Sequence, residues 1–183
     1  MRSYDYVHRK GVRELTWDDF AHMSAQLAEQ LDGAGVEAIV GIARAGLFPA
    51  TAVACNLRRE LYPARITRRV NDEVVFDVPV WRVPVSSEVA GKVVAVIDEI
   101  ADSGQTLALA AAEVRWQGAS KVLTACLVRH SWADPVPDFS VLETDELIIF
   151  PWDSRIFVDG RWQPHPEIVA ALEAQGKKNE KND

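Results

Sequence analysis

The chain contains a continuous apolar run at residues 93–97 and two mainly apolar segments at 36–42 and 121–128. Their β-branched residues are typical of strands that are buried on both faces of a parallel sheet. A shorter apolar run predicts a further strand at 147–150. Segments with helical spacing, or with high Ala and Leu content, predict helices at 16–33, 46–59, 107–114 and 166–174.

The alternation of strands and helices predicts an α/β fold, with a parallel twisted sheet flanked by helices on both faces. In such sheets, ligands bind at the carboxyl ends of strands, near a switch in strand order. Three loops follow predicted strands, at 43–47, 98–106 and 129–132. We therefore expect the functional residues in these loops.

The segment between the first two sheet loops has weaker patterns. Residues 65–69 and 74–83 predict strands joined by a turn at Asn71-Asp72, and Pro79 and Pro84 indicate an edge strand or a mobile hairpin over about 65–85. The first 15 residues are expected to be irregular. We expect one domain over 1–175 and a disordered polar tail at 176–183.

Composition restricts the class of protein. With 183 residues, 48% hydrophobic and 26% charged, the chain is an ordinary globular protein of one-domain size. A net charge of −7 disfavours nonspecific binding to nucleic acid or to an anionic membrane, and no apolar run approaches membrane-spanning length. Cys55 and Cys126 lie in apolar stretches, which predicts buried thiols in a reducing cytoplasm.

The most informative segment follows the run at 93–97. That run ends in two adjacent carboxylates, Asp98 and Glu99, and small and polar residues around Gly104 lead into a helix. The start of a helix offers free backbone N–H groups and a positive dipole end, which favour phosphate. Carboxylates repel phosphate, so the acidic pair needs ribose hydroxyls or Mg²⁺ instead. A ligand with a sugar, a phosphate and a metal satisfies both halves.

Two other phosphate-binding motifs are excluded by inspection. Gly41 and Gly46 have the spacing that opens a Walker A loop, but Leu47 and Phe48 stand where that motif needs Lys and a hydroxyl residue. No G-x-G-x-x-G occurs, so the dinucleotide fingerprint is missing as well.

Residues 93–106 resemble the phosphoribosyl pyrophosphate signature of the type I phosphoribosyltransferases, in which a hydrophobic strand, two acidic residues and a D-[ST]-G-x-T loop follow in that order. The resemblance extends over about 36–153. It implies a Rossmann-like α/β domain with a small flexible hood, which the hairpin at 65–85 would form. It also implies transfer of phosphoribose from phosphoribosyl pyrophosphate to a base, with Mg²⁺ as cofactor.

The same resemblance assigns roles along the signature. Asp102 would be the general acid/base for a ring nitrogen of the base. Asp98 and Glu99 would hold the ribose and Mg²⁺. The remaining contacts to the ribose and the 5′-phosphate would come from Ala101, Ser103, Gly104, Gln105 and Thr106.

The loop after the first predicted strand is similar to the pyrophosphate-binding loop of these enzymes, where a small-Arg-Gly-Gly turn is common. Ala43, Arg44 and Ala45 would bind pyrophosphate, since small residues allow close backbone approach and the Arg guanidinium suits phosphate oxygens. Ala45 departs from the family pattern.

The third matching segment, at 147–153, resembles the base-binding strand of the 6-oxopurine branch, and the chain is most similar to hypoxanthine/xanthine/guanine enzymes whose acidic pair is Asp-Glu. Leu147 would cover the base, the Ile148 backbone would bind its edge, and Asp153 would serve the metal. Arg129 stands where many of these enzymes place a Lys, and it would donate to the exocyclic oxygen of the base.

The resemblance implies purine salvage by a homodimer or higher homo-oligomer. The composition predicts a cytoplasmic protein that binds neither nucleic acid nor membrane. Two alternatives remain. One is a nucleotide-sensing regulator with the same fold and little turnover, which Ala45 and the missing Lys favour slightly. The other is an enzyme for a pyrimidine or another acceptor, which would differ only around 129–153.

Overall fold

The computed structural model describes residues 9–70, 73–77 and 79–179. The chain forms two units: a central unit, Ala21–Thr144, and a terminal unit made of the described residues before Ala21 and from Asp145 onward. The helices are α1 (Trp17–Gly33), α2 (Leu47–Leu57), α3 (Gln105–Trp116) and α4 (Pro166–Asn179). The strands are β1 (Val12–Glu14), β2 (Ala38–Ile42), β3 (Glu60–Thr67), β4 (Arg69–Val70), β5 (Glu73–Val74), β6 (Val80–Val83), β7 (Val93–Ala101), β8 (Lys121–Arg129), β9 (Phe139–Glu143), β10 (Leu147–Ile149), β11 (Arg155–Val158) and β12 (Arg161–Pro164).

The central unit is built on a six-stranded sheet of order β6-β3-β2-β7-β8-β9. All neighbours pair in parallel except β6, which pairs antiparallel with β3 at one edge. The α/β fold with a mostly parallel sheet is thus confirmed. The strand order reverses at β2 and β7, which places a switch point where the loops after these two strands begin.

The two faces of the sheet are covered by different helices. The buried face of α3, which includes Leu107 and Val114, belongs to the same core cluster as Val40, Val94 and Val96. On the opposite face α2 lies so close to β2 that a Cβ on Gly41 would come within 2.7 Å of the Ala50 methyl group. β2 is buried throughout and β7 is buried over 94–98, as their apolar runs predict.

The terminal unit has its own small elements. β1 pairs in parallel with β10, and β11 and β12 form an antiparallel hairpin. Trp152 stacks on Phe150 at 4.7 Å and meets Phe20 edge-on at 5.4 Å, so it packs in an aromatic cluster. Thr16 caps α1: its hydroxyl accepts from the Asp19 backbone N–H at 3.1 Å, and its own N–H donates to the Asp19 carboxylate at 2.8 Å.

Several predicted boundaries are wrong. β7 continues four residues beyond 97, because Asp98, Ile100 and Ala101 pair with β8, and the acidic pair therefore lies within the strand. α2 ends at Leu57, since Arg58 takes a left-handed conformation (φ 54°). α3 begins at Gln105, two residues before the predicted start.

Other predictions at the ends and the hairpin also change. The first 15 residues include β1, and α4 runs to Asn179, so 176–179 are helical; residues 180–183 lie outside the described part of the chain. β6 is an edge strand as predicted, but the Asn71-Asp72 turn falls on residues that are not described. Cys126 is buried, whereas Cys55 is exposed, because α2 buries positions 50, 53 and 54 instead.

Within the described residues, no helix is both long and apolar enough to cross a membrane.

Candidate active site

The loop between β7 and α3 has the geometry of a phosphate site. Gly104 is the N-cap residue of α3 with φ 77°, a conformation that glycine adopts without a steric penalty. A Cβ at this position would overlap the Pro135 carbonyl oxygen, and the Asp134 N–H donates to the Ser103 carbonyl at 3.1 Å. The segment after β8 thus fixes the loop, and the first turn of α3 presents N–H groups that have no intrahelical acceptor.

The acidic pair lies beside this loop, in β7. Asp98 is 9% exposed, and Glu99 is partly exposed. Burial of the Asp98 carboxylate raises its pKa well above the ordinary value, and the neighbouring charge of Glu99 adds to the shift. A buried carboxylate held against a like charge is stabilised by a cation or by hydroxyl donors, so the site suits a metal-bound diol.

The donor set fits Mg²⁺. This ion binds oxygen and commonly takes one or two protein carboxylates together with substrate phosphates. Among the described residues, no group of three or more His, Cys, Asp or Glu side chains is arranged to hold a metal. Asp98 and Glu99 offer two adjacent carboxylates. Cys126, opposite Asp98 in β8, is a thiol whose pKa burial raises to about 12, so it does not supply a thiolate.

The loop after β2 reaches the acidic pair. A Cβ on Gly46 would lie 2.6 Å from the Asp98 Oδ1, so this glycine allows the loop after β2 to approach β7 closely. Ala43 donates from its N–H to the Ala64 carbonyl at 2.7 Å, and the peptide bond between Ala43 and Arg44 is cis. The exposed Arg44 and the half-buried Ala45 follow in the turn. The structure thus brings the predicted pyrophosphate loop to the predicted ribose site.

Asp102 accepts a hydrogen bond from Trp132 and lies near His130, two aromatic residues to which the sequence analysis gave no role. The Trp132 Nε1–H donates to the Asp102 Oδ1 at 3.1 Å, and the His130 Nε2 lies 3.9 Å from the same oxygen. The rings of His130 and Trp132 stack at 4.4 Å with an 18° interplanar angle. Their position in the loop after β8, next to β7 in the sheet, was the available signal.

Arg129 ends β8 opposite Ala101. Its guanidinium forms an ion pair with the Glu143 carboxylate of β9. The side chain is therefore held on the sheet at the predicted end of the strand, with one of its donors engaged by Glu143.

The other predicted site residues belong to the terminal unit. Leu147 is buried and Ile148 half-buried in β10, where they pair with Val12 and Arg13 of β1. Asp153 is exposed, and its Oδ1 lies 3.7 Å from the His165 Nε2. Their predicted roles toward a base and a metal stay predictions.

Comparison with known proteins decides the family. The model of the phosphoribosyl transferase domain matches residues 13–159, which is most of the chain. The chain belongs to the phosphoribosyltransferase family. The resemblance inferred from the sequence is thereby confirmed, and the protein is a phosphoribosyltransferase enzyme, a family that uses phosphoribosyl pyrophosphate and a base as substrates and generally Mg²⁺ with the donor.

Solved structures with the same fold include a purine phosphoribosyltransferase from Pyrococcus horikoshii Ot3, with a TM-score of 0.72, 29% identity, and coverage of 82% of this phosphoribosyltransferase and 99% of that chain. A hypothetical protein from Neisseria gonorrhoeae with bound ppGpp has a TM-score of 0.68 and 25% sequence identity. The alignment covers 91% of this chain and 99% of that chain. The xanthine-guanine-hypoxanthine phosphoribosyltransferase of Helicobacter pylori has a TM-score of 0.61 and 18% sequence identity. The alignment covers 89% of this chain and 99% of that chain, and this likeness shows the fold alone. No curated protein matches the chain at a significant level.

Proposed function

We propose that this phosphoribosyltransferase transfers phosphoribose from phosphoribosyl pyrophosphate to a 6-oxopurine, namely guanine, xanthine or hypoxanthine, and releases pyrophosphate in cytoplasmic purine salvage. The observation that carries the proposal is that the buried Asp98 and the partly exposed Glu99 lie beside a helix N-terminus at Gly104. The purine phosphoribosyltransferase of P. horikoshii, 29% identical, supports a purine acceptor.

Each part of the donor has a matching group. The N–H groups of Ser103 to Thr106 and their hydroxyls would hold the 5′-phosphate, while Asp98 and Glu99 would accept hydrogen bonds from the ribose diol. Arg44 would bind pyrophosphate through its planar donors. Mg²⁺, when bound with the donor, would lower the charge on the leaving pyrophosphate. Asp153 would be a further metal ligand.

Asp102 would act on the base. As the glycosidic bond forms, the ring nitrogen of the purine must lose its proton, and a carboxylate at the entrance of the phosphate loop is placed to take it. In this proposal Leu147 covers the base and the Ile148 backbone binds its edge.

Arg129 would select the base. A guanidinium donates hydrogen bonds but accepts none, so it pairs with a 6-oxo group and not with the amino group of adenine. We expect hypoxanthine turnover to exceed adenine turnover, and we expect Arg129→Met to reduce the ratio of their kcat/KM values by about 5- to 150-fold, which corresponds to a lost hydrogen bond of about 1–3 kcal/mol. Pyrophosphate release with each base measures this ratio.

Glu143→Gln is the control for this prediction. It removes the ion pair with Arg129 but keeps the guanidinium donors, so base preference should persist. Equal or better use of adenine by the unaltered protein would contradict the assignment of Arg129, and so would an unchanged preference in Arg129→Met.

A nucleotide-binding regulator is the second candidate, because the N. gonorrhoeae relative, 25% identical, holds ppGpp. One set of measurements separates the two functions. The protein is incubated with donor, Mg²⁺ and a panel of purine and pyrimidine bases, and pyrophosphate release is followed; ppGpp binding is titrated in parallel. Turnover of a 6-oxopurine supports the enzyme, whereas ppGpp binding without turnover of any base supports the regulator. Light scattering on the same sample tests the proposed homodimer or higher oligomer.

A further inference from the structure

His130 is a buried histidine in which one ring nitrogen has a hydrogen-bond partner and the other has none among the described residues. The residue is fully buried, and its Nδ1 lies 2.6 Å from the Thr144 carbonyl oxygen. A carbonyl oxygen only accepts, so Nδ1 carries the hydrogen. In the neutral ring, Nε2 then has a lone pair, and this atom is buried with no hydrogen-bond partner among the described residues.

The unsatisfied nitrogen faces the proposed general base. The His130 Nε2 is 3.9 Å from the Asp102 Oδ1, so a lone pair faces a carboxylate oxygen while Asp102 is ionised. Two acceptors at this separation gain nothing from each other. A proton on Oδ1 changes this, because a hydroxyl can donate to Nε2 and still accept the hydrogen bond from the Trp132 Nε1–H, which lies 3.1 Å away.

We propose that His130 and Trp132 are positioning residues for Asp102 during phosphoribosyl transfer: His130 favours the protonated carboxyl group, and Trp132 fixes the orientation of that group. Trp132 holds the carboxylate by its indole N–H, and the stacked His130 ring presents Nε2 as the acceptor for the carboxyl hydrogen. The inference rests on the proposed function, because it requires Asp102 to receive a proton from the base.

The proton balance is complete without a further reactant. The bond from the purine nitrogen to C1′ forms as the bond from C1′ to the pyrophosphate oxygen breaks. The nitrogen's proton moves to Asp102, whose O–H then donates to the His130 Nε2, and Asp102 loses the proton to water after the nucleotide leaves. A closure of about 1 Å brings Oδ1 and Nε2 into hydrogen-bond range, and catalytic hydrogen bonds are often long before substrates bind.

A purely structural His130 would need only the bond from Nδ1 to Thr144. His130→Asn separates the two roles, because the Asn amide nitrogen can replace the Nδ1–H donor while the acceptor at Nε2 is lost. We expect kcat to fall about 5- to 150-fold, the range for a buried hydrogen bond that forms only after proton transfer, with donor affinity and melting temperature nearly unchanged. His22→Asn, at an exposed position of α1, is the control and should keep full activity.

Trp132→Phe gives a second, independent variant. It keeps the ring stacked on His130 and removes the donor to Asp102, so kcat should again fall, while Trp116→Phe on the exposed side of α3 should not change it. If His130→Asn fails to fold, Trp132→Phe tests the same cluster. Wild-type kcat in both folded variants would overturn the inference. A fall in kcat accompanied by comparable losses of donor affinity and of melting temperature in these variants would overturn it as well.

Two further measurements distinguish positioning from packing. In the Asp102→Asn background, His130→Asn should cause almost no additional loss, because both changes remove the same proton path; additive losses would overturn the inference. Nitrogen-15 spectra of labelled histidine in the substrate-free protein should show hydrogen on Nδ1 and not on Nε2, and the opposite tautomer would also overturn it. If the unaltered protein turns over no base, the proposed function itself fails. If the unaltered protein turns over a base and His130→Asn has the same kcat, only this inference fails.

Discussion

Replacing Asp102 by Asn should lower turnover about 10²- to 10⁴-fold while binding of phosphoribosyl pyrophosphate largely survives. The change preserves the size of the side chain and its acceptor oxygen for the Trp132 indole, so the loop around Gly104 keeps its shape. What disappears is a group that can take the proton of the purine nitrogen. Steady-state pyrophosphate release measures the first effect, and calorimetric titration with the donor and Mg²⁺ measures the second.

Asp159→Asn is the matched control, since Asp159 is an exposed residue in the β11–β12 turn and the substitution makes the same change of charge. Turnover near the wild-type level in Asp102→Asn would remove Asp102 from the mechanism. A large loss of donor affinity would mean instead that Asp102 shapes the phosphate loop rather than moving a proton.

The sequence identified the central strands because they contain long apolar runs. β2 is buried throughout, and the buried stretches 94–97 of β7 and 125–128 of β8 contain no polar residue, although Lys121 and Thr124 occur earlier in β8. Strand ends are less visible: Asp98 and Glu99 look like a loop in the sequence, yet pairing of Asp98, Ile100 and Ala101 with β8 continues β7 through both. Tertiary pairing decides such boundaries, and local composition does not.

Strands outside the core of the sheet were missed. β9 contains Ser140 and Glu143 and is only half-buried at the sheet edge, so it has no apolar run. The β11–β12 hairpin did have a sequence signal, the Asp159-Gly160 pair. Both residues have positive φ values, 53° and 73°, in the turn between the paired strands. An Asp-Gly pair of this kind is a strong short-range hairpin signal, and the surrounding polar residues obscured it.

The candidate site also contains residues that the sequence can predict and residues that it cannot. Residues close in sequence, from Asp98 to Thr106, are predictable because strand, loop and helix follow directly. The meeting of Asp102 with His130 and Trp132 depends on β7 and β8 being neighbours in the sheet, which brings together residues about 30 positions apart. No local pattern in the sequence encodes this contact.

The acidic pair should show opposite effects on donor binding and on the stability of the free protein. Asp98→Asn with Glu99→Gln removes two acceptors of charge-assisted hydrogen bonds, so affinity for phosphoribosyl pyrophosphate with Mg²⁺ should fall by at least about 10- to 150-fold, equivalent to about 1.5–3 kcal/mol for one such bond. Titration calorimetry with and without Mg²⁺ measures this, and the affinity gained from Mg²⁺ should largely vanish in the variant.

The stability effect follows from the raised pKa of Asp98. Its pKa in the folded protein lies above the unfolded value because burial and the charge of Glu99 disfavour the carboxylate. The folded state therefore binds the proton more tightly, and this contribution to stability is fully present below the ordinary Asp pKa and lost as pH rises through the folded pKa. At neutral pH the free protein holds a disfavoured charge, so Asp98→Asn should melt at a higher temperature than the unaltered protein.

The difference between the melting temperatures of Asp98→Asn and the unaltered protein should shrink as the pH falls below the folded pKa of Asp98, because both proteins then have a neutral group at position 98.

Glu29→Gln with Asp32→Asn, on exposed positions of α1, makes the same net change of charge as the double variant of the acidic pair. That control should leave donor affinity unchanged, which separates a local effect at β7 from a general loss of negative charge. Unchanged donor affinity in Asp98→Asn with Glu99→Gln would refute the assignment of the pair, and a lower melting temperature of Asp98→Asn at neutral pH would show that the Asp98 carboxylate stabilises the free fold.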